Sequence, residues 1–207
     1  MPGSSTLRVA ALISGGGTNL GHLLEAIDAG KLSASVVGVV SSRPSAPGLE
    51  RARVRGLPTF SVSRQKLGPG APFQDALHAR LGELAPDLVV LCGFRSQLET
   101  RDYAGRAMNI HPALIPAFSG PGYYGDRVHA AVLESGVKIT GATVHFCDDH
   151  YDTGPIIVQG AVDVLFDDTP EALAHRVQEC ERTLYPRAVQ LFAEGRIEIV
   201  GRRVRIR

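Results

Sequence analysis

The sequence lacks the marks of export and of membrane residence. Its first residues, MPGSST, have no basic start and no apolar core of about 7 to 15 residues, and no apolar run approaches the length of a membrane span. The three cysteines, Cys92, Cys147 and Cys180, are odd in number, far apart and without CxxC spacing, which argues against a disulfide framework and for a reducing cytoplasm. Neither sign of charge is in excess: 22 basic residues stand against 21 acidic ones. The chain therefore has no overall field that would gather nucleic acid or an anionic membrane, and a charged ligand has to be held locally. No Ser or Cys sits in a nucleophile elbow, and the one glycine-rich loop has no Walker A lysine.

What is present is an alternation of apolar runs and helical spacings. A length of 207 residues, 44% hydrophobic, suits one compact domain with a sizeable core. LRVAALI (7–13) has the branched, buried look of a strand, SGGGTN is a loop, and LGHLLEAIDAG has helical periodicity up to Gly30. The pattern then repeats as a strand at 35–42, a helix at 46–56, a short strand at 58–62, a helix at 71–85 and a strand at 87–93. This alternation predicts an α/β fold, a Rossmann-like, mostly parallel twisted sheet flanked by helices on both faces. After residue 126 the pattern changes to a helix at 126–135, strands at 138–146 and 155–164, a long helical region interrupted or kinked at Pro186, and a closing hairpin from 196. These last strands are expected to be antiparallel. Ligands of parallel sheets bind beyond the carboxyl ends of the strands, so SGGGTN, GFRSQL and NIHP should converge on one crevice.

Three stretches carry chemistry. Consecutive glycines between a strand and a helix let backbone amides face an anion at the positive helix end, against the plain alternative of a turn. Leu20 breaks GxGxxG, and Ser41, Ser42 and Arg43 stand where a dinucleotide site would want an acid, so the loop reads as a phosphate monoester site. HFCDDHYD (145–152) offers His145, Cys147 and His150 beside Asp148, Asp149 and Asp152, but one short segment does not complete a zinc cage. No metal is expected there; His145 reads as a packed strand residue and the acids as loop residues, one of them able to tune a nearby base. In NIHP, Asn109 and His111 share one side of an extended segment, and Pro112 and Pro116 stiffen the loop after it. An amide donor, an imidazole and a carboxylate suit acyl or formyl transfer to an amine by direct attack, with two donors for the oxyanion.

ISGGGTNL, NIHPALIP, GATVHFCDDHYDTGPII and RVQECERTLYP resemble, in order and spacing, the phosphoribosylglycinamide formyltransferase family over almost the whole chain. The resemblance implies a single formyltransferase domain over residues 1–207, with the formyltransferase fold. It also implies transfer of a formyl group from the co-substrate 10-formyltetrahydrofolate to the glycyl amine of a ribose phosphate, in de novo purine synthesis. Asn109, His111 and Asp152 match the family's catalytic residues. Gly16, Gly17, Thr18 and Asn19, with Gln178 and Glu181, match the substrate-binding positions. Arg95, Ser96, Gln97, Leu98, Asn109 and Asp148 fall in the folate-binding part. Small-molecule substrates, no metal, no nucleic acid or membrane partner, a cytoplasmic setting and a monomer or homodimer complete the expectation. A carboxylate beside His111 is expected to favour its imidazolium form.

The chain departs from the family's usual pattern in three places. Arg95 and Ser96 stand where Met and Arg are common, Gly70 lies near the place of an expected arginine, leaving Arg64 and Lys66 for the folate tail, and SGPGYYGDRVH is longer than usual. The rival readings are a formyltetrahydrofolate deformylase, with water as nucleophile, and a non-enzymatic nucleotide-binding module. The first leaves the phosphate loop without use and the second leaves Asn109, His111 and Asp152 without use.

Overall fold

The computed structural model describes residues 6–207; residues 1–5, on which most of the expectation about export rests, lie outside the described residues. In chain order the elements are β1 (Leu7–Ile13), α1 (Thr18–Asp28), β2 (Ala34–Ser41), α2 (Pro47–Val54), β3 (Thr59–Ser61), α3 (Arg64–Leu67), α4 (Ala71–Leu84), β4 (Leu88–Leu91), β5 (Ala107–His111), α5 (Asp126–Ser135), β6 (Ile139–Phe146), β7 (Ile156–Asp163), α6 (Pro170–Ala193), β8 (Ile197–Val200) and β9 (Arg203–Ile206). The nine strands form one sheet in the order β3-β2-β1-β4-β5-β6-β7-β9-β8. The first five run parallel, β6 and β7 are antiparallel neighbours, and the chain passes through β8 at the sheet edge before turning back as β9, which joins β7 through the pair Ile156 and Arg203.

The apolar runs of β1 and β4 are continuous because both faces of the sheet are covered. Val9, Ala11, Ile13, Leu88 and Val90 point into one core layer with Leu20 and Leu23 of α1, Leu49 of α2, Val128 of α5 and Val177 of α6. Ala10, Leu12, Val89 and Leu91 point into the other, against Phe73, Leu77 and Leu81 of α4. A strand period of two thus assigns alternate residues to opposite layers.

Of the interruption or kink expected at Pro186, the interruption is not found. Helix α6 runs without interruption from Pro170 to Ala193 with Pro186 inside it. Tyr185, Pro186, Ala188 and Val189 are all buried on the core side, and that burial outweighs the backbone hydrogen bond a proline cannot make. The Tyr185 hydroxyl lies 3.1 Å from the Leu91 carbonyl and 3.0 Å from that of Met108, so α6 ties together the ends of β4 and β5. Among the described residues, no helix is long and apolar enough to cross a membrane.

Candidate active site

The loops beyond the carboxyl ends of β1, β4 and β5 meet, as expected for a parallel sheet, around one cleft of about 520 Å³. Turns after β6, residues 120–125, the start of α5 and one face of α6 complete its lining.

At one side the glycine loop enters α1. Gly17 has φ +68°, a left-handed conformation that costs a side chain about 1–2 kcal/mol, and it caps a helix with no side-chain cap and no acid in its first turn. The positive helix end is left facing the cleft. Gly48 of α2 packs beneath the loop and donates its amide to the Gly15 carbonyl at 3.0 Å. Gly16, Gly17, Thr18 and Asn19 all line the cleft, as do Gln178 and Glu181 of α6. Asn19 Nδ2 donates to Glu181 Oε2 at 3.0 Å. Burial pushes the Glu181 carboxyl up to about 7, against the opposing pull of that hydrogen bond.

The central cluster is built on paired strands. Asn109 and His111 lie two residues apart on β5, and Asn109 sits opposite His145 on β6. Asp152, in the turn after β6, takes the left-handed φ of +57° that Asp tolerates better than most residues. Its Oδ2 lies 3.5 Å from His111 Nδ1 and accepts the Gly120 amide at 2.9 Å. Its Oδ1 lies 3.6 Å from His145 Nε2 and 3.4 Å from Asn109 Nδ2. Asn109 Nδ2 also reaches His145 Nε2 at 3.2 Å. His145 Nδ1 is 2.8 Å from the Phe146 carbonyl and so carries its proton there, which leaves Nε2 to accept from Asn109 in the neutral ring. His111 Nε2 donates in the same way to the Phe118 carbonyl at 2.7 Å.

Asp152 favours the imidazolium form of His111, as expected, but does not by itself set the charge of the ring. Burial is the largest influence on His111 and lowers its pKa; Asp152 and the Phe118 carbonyl pull upward but do not overcome it. Burial is also the largest influence on Asp152 and pushes it upward. There the neighbouring His145 and His111 rings and the Gly120 amide together outweigh it, so the carboxyl lies below its ordinary range. At neutral pH the cluster is an ionised Asp152 beside a mainly neutral His111.

Arg95, Ser96, Gln97, Leu98 and Asp148 line the same cleft as Asn109. The Arg95 amide donates to Ser14 Oγ at 2.8 Å, while Ser96 and Leu98 are buried. Gln97 donates its side-chain amide to the Asp149 carbonyl. Asp148 accepts from Thr153 Oγ1 at 2.8 Å and from the His150 amide at 3.1 Å. Asp149 turns instead to the Thr100 amide and hydroxyl. Arg64 lines a second cavity that shares Gln97 and Tyr151 with the first, whereas Lys66 lines neither. Among the described residues no group of three or more His, Cys, Asp or Glu side chains is arranged to hold a metal ion.

Sequence reasoning missed His145 as a member of the cluster, although its place opposite Asn109 follows once β5 and β6 are paired. It also missed His129 of α5, which lines the cleft with its Nδ1 buried and unpartnered among the described residues. The Phe118 carbonyl had no sequence signal at all.

The fold and the Asn109, His111 and Asp152 cluster at the carboxyl end of β5 go with a family match: the chain belongs to the formyl transferase family, whose model matches residues 7–189. Within that family it falls among the phosphoribosylglycinamide formyltransferases. It is 36% identical to the phosphoribosylglycinamide formyltransferase of Escherichia coli K12, over 93% of this chain and 90% of that protein. The crystal structure of glycinamide ribonucleotide transformylase 1 from Symbiobacterium toebii superposes with a TM-score of 0.91 at 42% identity, covering 97% of this chain and 94% of that one. The trifunctional purine biosynthetic protein adenosine-3 of Gallus gallus is 38% identical over 95% of this chain, which spans 19% of that longer protein.

Proposed function

We propose that this protein transfers the formyl group of 10-formyltetrahydrofolate to the amine of 5-phosphoribosylglycinamide, giving formylglycinamide ribonucleotide and tetrahydrofolate. The observation that carries the reading is the convergence, in one cleft, of an uncapped glycine loop suited to a phosphate with the Asn109, His111 and Asp152 cluster.

In this reading the glycine loop, with Thr18 and Asn19, holds the phosphate, and Gln178 and Glu181 meet the ribose and glycinamide. Ser96, Gln97, Leu98 and Asp148 border the folate, with Asn109 at the junction. The substrate amine attacks the formyl carbon directly, forming a new C–N bond and a tetrahedral oxyanion. Asn109 Nδ2 and His111 Nε2 donate to that oxygen, the His111 proton leaving the Phe118 carbonyl for the more negative acceptor. Ionised Asp152 takes up the proton released by the amine. As the bond from carbon to the folate nitrogen breaks, the proton held by Asp152 passes to that nitrogen, which restores the ionised carboxylate and leaves the two products as neutral amide and amine.

Purified protein is mixed with 10-formyltetrahydrofolate, with and without phosphoribosylglycinamide, and tetrahydrofolate and formylated product are quantified. Product formation that requires the amine supports the reading. Release of formate without the amine assigns a deformylase, and no turnover in either mixture assigns a binding module.

A further inference from the structure

The cleft is lined by four carboxylates, those of Asp126, Asp148, Asp152 and Glu181, but by one side chain of permanent positive charge, Arg95. Both substrates of the proposed reaction are anionic, one through a phosphate and the other through its glutamate carboxylates. Which of them Arg95 serves decides what this residue contributes to specificity.

The guanidinium of Arg95 has no carboxylate and no hydrogen-bond acceptor among the described residues. It lies over the ring of Tyr124, 5.6 Å from the centroid. Arg127, in the first turn of α5, stands 5.0 Å from the same centroid and is likewise without a carboxylate partner among the described residues. Two guanidinium groups gathered on one ring repel each other at this range and gain from an arriving anion. A guanidinium resting on an aromatic face also keeps its forked N–H donors free, and a phosphate accepts that fork in two parallel hydrogen bonds.

Position favours the phosphate over the folate. The Arg95 amide is tied to Ser14, the residue directly before Gly15, so this backbone is anchored to the glycine loop itself. Gln97 and Tyr151, by contrast, border both the cleft and the second cavity, which Asp149 also lines. Tyr124 comes from the long 118–125 segment, whose other end is held on the catalytic cluster by the Phe118 carbonyl and the Gly120 amide. The loop supplies amides and a helix end but no lysine, and a phosphate dianion there has no formal countercharge unless Arg95 provides one.

We infer that Arg95, held on Tyr124 beside Arg127, is a specificity-determining residue for the phosphate of the acceptor and forms the wall of the phosphate site that faces the glycine loop. The inference rests on the reaction proposed above. It assigns the unusually long 118–125 segment the task of presenting that arginine.

The test pairs the side chain with the phosphate. Wild type, Arg95→Met, Arg95→Lys and Tyr124→Leu are compared on phosphoribosylglycinamide and on its dephosphorylated riboside, by kinetics and by calorimetric binding, with thermal melts to check folding. Arg95→Met is expected to weaken the phosphorylated acceptor about 10- to 100-fold, while the riboside and the KM for 10-formyltetrahydrofolate change less than about twofold. Arg95→Lys and Tyr124→Leu are expected to fall between. Equal losses on both acceptors, or a loss confined to the folate, overturn the inference, and Tyr124→Leu carries the test should Arg95→Met fail to fold. If wild type transfers no formyl group, the proposed reaction fails. The calorimetric comparison of phosphorylated and dephosphorylated ligand then still decides the role of Arg95.

Discussion

His111 donates from Nε2 to the carbonyl of Phe118 across 2.7 Å, a contact between the end of β5 and a residue seven positions further along that itself sits at φ +50°. The imidazole that faces the cleft is therefore engaged before any substrate arrives. The 118–125 segment and the catalytic cluster are one mechanical unit.

Because Asp152 raises the pKa of His111 against the larger downward effect of burial, Asp152→Asn is expected to lower it further. A histidine whose folded pKa lies below its unfolded value contributes stability that is present above the unfolded pKa, near 6.5, and is lost as pH falls. In Asp152→Asn that acid loss should involve a larger contribution from His111. Titration of the His111 ring proton by NMR should show the downward shift, and kcat should fall about 100- to 1000-fold. An unchanged titration and an unchanged rate would contradict the role given to Asp152.

Gly48→Ala is expected to displace the glycine loop. A Cβ there meets Ile13 Cδ1 at 2.8 Å and the Gly15 carbonyl oxygen at 2.9 Å, both fixed by the core or the backbone. Overpacking of this kind costs about 1–3 kcal/mol in stability. The KM for phosphoribosylglycinamide should rise at least about tenfold, with a much smaller effect on the folate KM. Calorimetry and steady-state kinetics check both.

Tyr185→Phe removes the hydroxyl shared by the carbonyls of Leu91 and Met108 while keeping the ring that fills the core. Loss of one buried hydrogen bond should cost about 1–2 kcal/mol. A lower urea midpoint with an unchanged m-value is the expected result. No change in midpoint would show that the two carbonyls find other partners.

Asp168 is held at a pKa of about 2, first by the hydrogen bonds from Arg176. Its carboxylate accepts from both Arg176 terminal nitrogens at 2.8 Å and from the Leu165 amide. A depressed carboxyl contributes stability that is present above its unfolded pKa, near 4, and is lost as pH falls through the folded value near 2. Asp168→Asn should therefore be less stable than wild type at pH 7, and the gap should narrow between pH 4 and pH 2. A gap independent of pH would mean that the pair acts through packing and not through charge.

Local pattern carried much of this architecture. Runs such as LRVAALI and DLVVLCG announce two-sided burial, and the glycine loop and the spacing of Asn109 to His111 fall where an alternating α/β chain puts its ligand-binding ends. These features depend on residues close in sequence, whose geometry the helix and strand periods fix. Pro186 is the case where a local rule fails, because the burial of its neighbours on α6 outweighs its own backbone defect.

Contacts between distant segments could be decided only by packing. Partnership of His145 with Asn109 needs the antiparallel register of β5 and β6, and the aim of the Asp152 carboxylate needs a left-handed turn. The meeting of Arg95 with Tyr124 needs a 118–125 segment anchored at both ends. The protonation of His111 depends on burial as much as on its partner, and burial belongs to the folded volume around a side chain. Residue order thus supplied the strands, the glycine turn and the chemically able side chains. Distances and desolvation, which decide how those side chains titrate and what they can hold, came from the tertiary structure, since both arise between residues that no local period relates.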